Sequence, residues 1–380
     1  MNRRTSNIMS VIVIIAVVLC QFNSIIVANA KTSGVEYFVD QNISRDEKDF
    51  VMKNKDEYLK IISSDKNLCA NLSITSEDLE IGKPFLIYYP DITQEMVDYY
   101  PVIYKKHVIC TIDVVTTSQG YSVGFSDEFV DLLNENNYIS NPCIFYYTEG
   151  KIYIQNRMYK KFTGLHIDIR NKNSTNVQKG EFSKKTFYDK QKIICRDIPK
   201  FKKVTLGYED EIDYRLKKYK TTLSLHNPMG QYDKGMCWAA STATVVNYVK
   251  KKGVTAYDVC NLMGINYNKG ASMYVARDAL SRYGISNYNN VLGGACSQAC
   301  IRENIDNNHL LLAGGTNDQY GMEHMVVICG YEDKNVTRYK IWNPANKNGQ
   351  GGYGVRQYND GICAVVSGIS FQWRSTLCVN

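Results

Sequence analysis

The sequence lacks any cluster of basic residues, although its 380 residues carry a formal net charge of +7. The positive excess is spread along the chain, and two of its charges, Arg3 and Arg4, fall in a segment that we expect to be removed. Binding to nucleic acid or to an anionic membrane surface normally depends on concentrated positive charge. We therefore expect no nucleic-acid partner.

The sequence has only one long apolar run, and it lies within residues 1–30. There a nearly unbroken apolar stretch follows two arginines and precedes Ala28-Asn29-Ala30. This order is typical of a secretory signal with a small-residue cleavage site. A membrane anchor is the alternative, but the run is short for a span and a polar break follows it. We expect cleavage after residue 30, secretion, and no stable membrane anchor afterwards.

Paired zinc ligands are lacking as well, despite twelve cysteines. Cys296 and Cys300 are closely spaced, but no second close pair of Cys or His accompanies them. We therefore expect no metal ion and no other cofactor. In an exported protein, cysteines favour disulfides. With Cys20 removed, eleven cysteines remain, four before residue 200 and seven after it. If one of the seven stays a thiol, each half keeps an even number that can pair. Four cysteines can pair in three ways and six in fifteen, so no pairs are assigned.

Two domains fit the length, and the hydrophobic content of 44% is that of a globular protein. Residues 46–62 have a helical pattern. Strand signals rich in β-branched and aromatic residues follow at 84–89, 107–115, 121–125 and, as a hairpin, 143–154. These predict a small α+β domain on an antiparallel sheet. Charged and polar stretches between about 170 and 220 predict a linker or processing region.

In the C-terminal half the spacing of apolar residues changes from a helical period to one typical of strands. Helices are predicted at 237–252, ended by Gly253, and at 272–283 and 300–307. Strands are predicted at 310–313, 325–331 and 337–342, with two edge strands at 361–366 and 369–373. Helices followed by a sheet indicate an α+β fold.

Cys237 stands at the start of a predicted helix, where partial positive charge and N–H groups favour a reactive thiolate. His324 precedes an apolar strand and can serve as its ion-pair partner and general acid–base. Taken singly, a buried cysteine is usually an inert small hydrophobic residue and a lone histidine is usually structural. The combination with further residues therefore decides the interpretation.

Two amides extend the pattern. Asn343 ends the next predicted strand, and its amide oxygen can orient the imidazole. Gln231, six residues before Cys237, can donate to an oxyanion hole shared with the Cys237 backbone N–H. Asp333 and Asn346 are alternatives to Asn343, although neither lies at so suitable a strand end. The combined set predicts a hydrolase with a cysteine nucleophile.

Three segments resemble the signature segments of papain-like cysteine peptidases: residues 231–241, Glu323-His324-Met325 and Ile341-Trp342-Asn343-Pro344. The similarity spans roughly residues 223–373 and is greatest to the compact bacterial type, which includes staphopain, streptopain and bacteriocin-processing peptidases. It implies an α+β, two-lobe catalytic domain, with a helical lobe carrying the cysteine against an antiparallel half-barrel carrying histidine and asparagine. The chain departs from this type in its high cysteine count.

The resemblance implies a secreted cysteine endopeptidase made as a zymogen. It assigns a signal to residues 1–30, an inhibitory α+β prosegment domain with linker to 31–200, and the peptidase to 201–380. Cys237, His324 and Asn343 would form the triad, acting through a thioester acyl-enzyme with Gln231 assisting. The expected partners are a protein or peptide substrate and the chain's own prosegment. The alternatives are a transpeptidase, amidase or deubiquitinase-like enzyme of narrow specificity, or a non-catalytic secreted interaction module.

Overall fold

The structure, a computed structural model, describes fourteen stretches of the chain. They are residues 43–69, 72–88, 97–117, 120–135, 144–148, 151–155, 159–161, 220–232, 234–286, 288, 291–318, 321–333, 337–358 and 361–379. We call the described residues up to 161 the N-terminal module and those from 220 onward the C-terminal half. The predicted signal and the predicted linker up to residue 219 lie outside the described residues, so the domain boundaries stay a prediction. No helix in the described stretches has the length and apolar character needed to cross a bilayer.

The N-terminal module combines short helices with a sheet. Its helices are α1 (Arg45–Lys53), α2 (Lys55–Ser64), a 3₁₀ turn (Ser76–Asp78) and α3 (Val130–Glu135). Its strands are β1 (Glu80–Ile81), β2 (Phe85–Tyr88), β3 (Val97–Tyr104), β4 (His107–Thr117), β5 (Gly120–Ser126), β6 (Ile144–Thr148), β7 (Lys151–Gln155) and β8 (Tyr159–Lys161).

Two features of this module differ from the expectation. The single helix predicted over 46–62 is divided at Asn54, whose side-chain amide donates to Phe50 O at 2.8 Å. Such local side-chain bonds offer the backbone an alternative to continuing the helix. The sheet is mostly antiparallel as predicted, but β6 pairs with β2 in parallel.

The C-terminal half places its helices before most of its strands, as the change of period predicts. The helices are α4 (Cys237–Lys250), α5 (Ala256–Met263), α6 (Met273–Arg282), α7 (Gln298–Asp306) and α8 (Asn346–Gly349). The strands are β9 (Lys220–Thr222), β10 (Leu292–Gly293), β11 (Leu310–Asn317), β12 (Met322–Asp333), β13 (Thr337–Asn343), β14 (Gly352–Gln357), β15 (Ile362–Val366) and β16 (Ile369–Val379). The chain therefore has a mixed α and β fold.

Two predictions about the C-terminal half are wrong. Residues 369–373 belong to β16, which lies between β10 and β11 rather than at an edge. Strands pair along both edges of β16, and this pairing cannot be recognised from the local sequence pattern. Helix α4 ends at Lys250 rather than at the predicted Lys252, because Lys251 adopts the left-handed conformation with φ of 53°. A residue with positive φ closes a helix, although glycine is the usual one.

A single sheet of 16 described strands joins the two parts of the chain. Its order is β10-β16-β11-β12-β13-β14-β5-β4-β3-β2-β6-β7-β8, with β1 on β3, β9 on β12 and β15 on β16. The junction is the antiparallel pair β14–β5, where Gly354 lies opposite Ser126. One hydrophobic cluster also spans both parts, from Phe85 and Tyr99 of the module to Trp238 of the C-terminal half. The described parts therefore pack as one body.

The ion pairs between the two parts share a consistent polarity. In the described residues, each places its carboxylate on the N-terminal module and its cation on the C-terminal half. The pairs are Lys340 with Asp65, Arg338 with Glu57, Lys347 with Asp127, and Arg356 with Asp113. Opposite charge on two facing surfaces fixes their register. The arrangement supports a specific docking geometry rather than a loose contact.

Asp113 gives this interface a measurable pH dependence. Burial raises the pKa of Asp113 from 3.8 to about 6, although the nearby Arg356 partly opposes the shift. Because the folded chain holds this proton more tightly than the unfolded chain, the contribution of Asp113 to stability is largest below pH ~4 and declines as the pH rises to ~6. A shift of this size corresponds to about 3 kcal/mol. We expect the urea midpoint of the full chain to reflect this decline.

The variant Asp113→Asn isolates this effect, because asparagine keeps the shape of the side chain and does not titrate. The slope of urea midpoint against pH should become less negative between pH ~4 and ~6 in Asp113→Asn than in the wild type. Asp49→Asn is the matched control, since the Asp49 side chain is 73% exposed. Superimposable profiles for the wild type and Asp113→Asn would contradict the assignment.

Candidate active site

Cys237 is the first residue of α4, as the sequence predicts. Its neighbour Trp238 is fully buried and donates from Nε1 to Lys269 O at 3.1 Å, which anchors the first turn of the helix. The side chain of Cys237 is 9% exposed. The N–H groups of a first helical turn have no partner within the helix, and they favour negative charge nearby. A thiolate at this position is therefore stabilised by the backbone.

Ser241 connects α4 to the strand that carries His324. It lies one helical turn after Cys237, so the two side chains share a face of the helix. Ser241 Oγ donates to Met325 O at 3.0 Å, and Met325 directly follows His324 in β12. This buried bond directs the cysteine-bearing face of α4 toward the beginning of β12.

His324 and Asn343 meet through the pairing of β12 with β13. Val327 lies opposite Trp342, and the same register brings Asn343 opposite residue 326. Residues 324 and 326 share one face of β12, because side chains alternate along a strand. His324 and Asn343 are therefore diagonal neighbours on one face of the sheet, and their side chains are in contact.

The contact defines the protonation of the imidazole. His324 Nε2 lies 2.7 Å from Asn343 Oδ1. Asn343 Oδ1 also accepts the backbone N–H of Ala345 at 3.1 Å, while Nδ2 donates to Val365 O at 3.4 Å. Since an amide oxygen can only accept, Nε2 must carry the proton of this hydrogen bond. Nδ1 then holds the lone pair that can accept a proton from a thiol.

The surroundings of His324 keep the imidazole neutral. Burial lowers the pKa of His324 to about 4, and the hydrogen bond to Asn343 opposes this shift in part. The ring of Phe371 lies 5.3 Å from the imidazole centroid and contributes apolar surface. At neutral pH the imidazole is therefore neutral, and burial opposes its protonation while no substrate is bound.

Cys237 and His324 line the same cavity, whose volume is about 190 Å³. The other lining residues are Gly270, Ala271, Ser272, Met273, Tyr274, Val291, Gly314, Gly315, Thr316, Glu323, Met325, Arg374 and Ser375. Gly314 allows β11 to approach Ser375 closely, because a Cβ atom there would lie 2.5 Å from Ser375 Oγ. All lining residues belong to the C-terminal half. The described part of the module therefore contacts the sheet beyond this cavity.

Gln231 occupies a buried loop next to the segment that follows Asn343 rather than the cavity wall. Its backbone N–H donates to Pro344 O at 3.0 Å, which ties the loop to the residue after Asn343. Its side-chain Nε2 donates to Lys234 O at 3.2 Å. Gly230 is required at the loop's closest approach, since a Cβ there would lie 2.2 Å from Gly349 O. The oxyanion role of Gln231 stays a prediction.

The two alternative orienting residues contact other groups. Asp333 forms an ion pair with Arg302. Asn346 donates to Asp127 Oδ1 at 3.2 Å and to Tyr353 O at 3.3 Å. The contact with His324 is made by Asn343.

Two supporting residues were missed in the sequence. Ser241 lies four residues after Cys237, so its position on the same helix face could have suggested a contact with the opposing strand. The contact of Phe371 with His324 could not be predicted, because the sequence pattern favours an edge strand for residues 369–373. Ser241 connects the helix of Cys237 to the strand of His324, and Phe371 packs beside the His324 ring. Both residues therefore help to position the candidate nucleophile or base.

Nine cysteines lie within the described residues, and all nine are present as thiols. The expected disulfides therefore stay a prediction, and Cys143 and Cys195 lie outside the described residues. Among the residues that the structure covers, no three His, Cys, Asp or Glu side chains are grouped so that they could hold a metal ion.

No protein-family model and no curated protein sequence matches the chain. Solved structures that resemble it include a mite allergen from work on the limited antibody cross-reactivity between Blo t 1 and Der p 1. That allergen is 16% identical, with a TM-score of 0.30, over 45% of this chain and 73% of its own. The similarity is weak and assigns no family.

Proposed function

We propose that the chain is a cysteine peptidase in which Cys237 is the nucleophile, His324 the general acid–base and Asn343 the residue that orients the imidazole. The observation that carries the proposal is the 2.7 Å contact between His324 Nε2 and Asn343 Oδ1, beside a cavity that Cys237 and His324 both line. A neutral imidazole with its Nδ1 lone pair available can accept the thiol proton when a substrate enters.

In the proposed reaction, the Cys237 proton passes to His324 Nδ1 and the thiolate attacks a peptide carbonyl. The resulting oxyanion receives hydrogen bonds from the Cys237 backbone N–H and from the Gln231 side-chain amide, which would turn from Lys234 O toward the cavity. His324 then returns the proton to the leaving amine, so that a thioester remains on Cys237. Water attacks the thioester with His324 as base, and this step releases the acid product and restores the thiol.

We also propose that the chain is secreted after removal of residues 1–30 and that residues 31–200 keep it inactive until the linker is cut. The described part of the module contacts the elements that support Asn343. Asn343 donates to Val365 O, shortly before a turn that the module contacts. In this turn, Ser367 N–H donates to Glu128 Oε1 at 2.6 Å and Gly368 N–H donates to Tyr99 Oη at 2.8 Å. Docking of the module is thereby coupled to the position of the orienting amide.

Labelling by an epoxysuccinyl inhibitor tests the proposal, because this electrophile traps an activated thiol beside a general acid. We expect one equivalent to attach at Cys237 in the wild type and none in Cys237→Ala. His324→Ala should label far more slowly, since the thiol then has no base. Labelling should accelerate after limited proteolysis between residues 170 and 220. Peptide mass mapping locates the adduct.

Cys260→Ala is the matched control, because Cys260 is a buried thiol on the neighbouring helix α5. It should label as the wild type does. Absence of labelling in wild type, both before and after proteolysis, would support a non-catalytic module instead. Labelling at Cys237 combined with resistance of casein and general peptides would favour the narrow-specificity transpeptidase or amidase.

A further inference from the structure

Three thiols outside the candidate active site meet at one point of the fold. Cys300 lies in the first turn of α7, Cys296 precedes that helix, and Cys378 lies near the end of β16. The Sγ atoms of Cys300 and Cys378 are 3.5 Å apart. Cys296 also forms a side-chain hydrogen bond with Cys300. We call these three residues the thiol cluster.

The members of the cluster differ in their access to solvent. Cys296 and Cys378 are buried, with 4% and 0% of their surfaces exposed, whereas Cys300 is partly exposed. A reagent that arrives from solvent therefore meets Cys300 first. Cys378 lies behind it, and its Sγ would have to approach from 3.5 Å to about 2.0 Å for a disulfide bond to form.

The environment of Cys300 favours its thiolate. Hydrogen bonds from the thiols of Cys296 and Cys378, and a weaker one from Asn304 Nδ2 at 3.6 Å, lower the pKa of Cys300. Its position in the first turn of α7 acts in the same direction, because a helix N-terminus stabilises negative charge. The hydrogen bond with Cys300 is the largest cause that raises the pKa of Cys296, and burial and the negative charge expected at Cys300 add to it. The exposed thiol is therefore also the nucleophilic one.

We propose that the thiol cluster is a redox site in which Cys300 and Cys378 form a reversible disulfide by exchange with an external disulfide. The Cys300 thiolate attacks one sulfur of R–S–S–R, so that a Cys300–S–S–R mixed disulfide forms and RS⁻ leaves. The Cys378 thiol then loses its proton and attacks the Cys300 sulfur, which forms the Cys300–Cys378 bond and releases the second RS⁻. Two cysteine thiols are oxidised while one external disulfide is reduced to two thiols.

The bond would tie α7 to β16 across 78 residues of sequence. The closed loop contains β11, β12 and β13, and thus both His324 and Asn343. A link across a loop of this length restricts the unfolded chain strongly. The oxidised chain should therefore melt about 5–15 °C higher than the reduced chain. The site is separate from Cys237, so its oxidation does not depend on peptidase activity.

Tryptic mapping shows whether Cys378 is linked to the peptide that carries Cys296 and Cys300. The full chain carrying Cys237→Ala is incubated with oxidised glutathione, alkylated with N-ethylmaleimide and digested. Trypsin leaves Cys296 and Cys300 together on residues 283–302 and Cys378 on residues 375–380. We expect these two peptides to be recovered as one linked species that dithiothreitol separates. Because the nucleophile is absent, the outcome is independent of the proposed peptidase function.

Two serine variants locate the bond. The linked species should persist in Cys296→Ser and disappear in Cys300→Ser, which lies at a partly exposed position and keeps the buried thiols intact. Loss of the species in Cys296→Ser together with its persistence in Cys300→Ser would overturn the pairing. So would full alkylation of all three cysteines after oxidation, or a bond from Cys378 to any other cysteine.

Discussion

Replacing Asn343 with alanine is expected to lower kcat of the processed chain about 100-fold while KM changes little. Asn343 Oδ1 lies 2.7 Å from His324 Nε2, and this bond selects the tautomer and the ring orientation. Without it, either ring nitrogen can carry the proton and the ring can rotate. A small fraction of molecules would then direct the Nδ1 lone pair toward Cys237. Steady-state kinetics on a peptide substrate measure both constants.

Two variants separate this effect from a loss of stability. Asn343→Asp keeps an oxygen acceptor for the imidazole, so it should restore most of kcat. Asn346→Ala is the matched control, because Asn346 is a buried asparagine that donates to Tyr353 O at 3.3 Å. It should keep the kcat of the wild type. If Asn343→Ala has the same kcat as Asn346→Ala, Asn343 has no role in the proposed triad.

Replacing Lys340 with methionine is expected to lower the unfolding free energy of the full chain by about 3–5 kcal/mol. Lys340 Nζ lies 2.7 and 2.8 Å from the two carboxylate oxygens of Asp65. Both side chains are buried, at 7% and 5% exposure. Methionine fills the space of the lysine stem but leaves the Asp65 charge unpaired within the interface. Urea denaturation of the full chain measures the loss.

The companion variant Asp65→Asn tests whether the cost comes from the stranded charge. Asp65 Oδ1 also accepts backbone N–H groups of Asn67 at 2.9 Å and Leu68 at 3.3 Å, and asparagine can keep both bonds. The double variant Lys340→Met/Asp65→Asn should therefore recover most of the unfolding free energy that Lys340→Met loses. Arg45→Met removes a pair whose side chains are 92% and 73% exposed, and it should have little effect. An equal loss in Arg45→Met and Lys340→Met would exclude a special role for the buried pair.

The positions of Cys237 and Asn343 could be predicted because each lies at one end of a regular element. Cys237 opens an alanine-rich helix, and Asn343 closes a strand. The cavity could not be predicted in this way. Its walls come from several segments that are distant in sequence, and two of its lining residues, Gly314 and Gly315, lie beyond the strand predicted at 310–313. Glycine weakens a strand pattern, but here it allows close packing, since a Cβ atom at Gly315 would lie 2.3 Å from Cys363 Sγ.

The missed strands show where local patterns fail. β14 has two glycines in six residues and no regular alternation of apolar side chains. Its neighbours β13 and β5 supply its hydrogen bonds, and β5 lies more than 200 residues away in sequence. β3 contains Pro101, whose missing N–H argues against a strand, yet it pairs with β4 along its length. In both strands tertiary pairing outweighs intrinsic preference.

The pairing of β5 with β14 also bears on the solubility of the chain. An uncovered strand edge presents a row of N–H and C=O groups that another chain can extend into an aggregate. While β5 is in place, the β14 edge is covered and Arg356 is buried beside Asp113. A charged side chain on an edge strand is one means by which proteins prevent edge-to-edge association. The residue that helps to hold the module in place is thus also one suited to protect this edge from other chains.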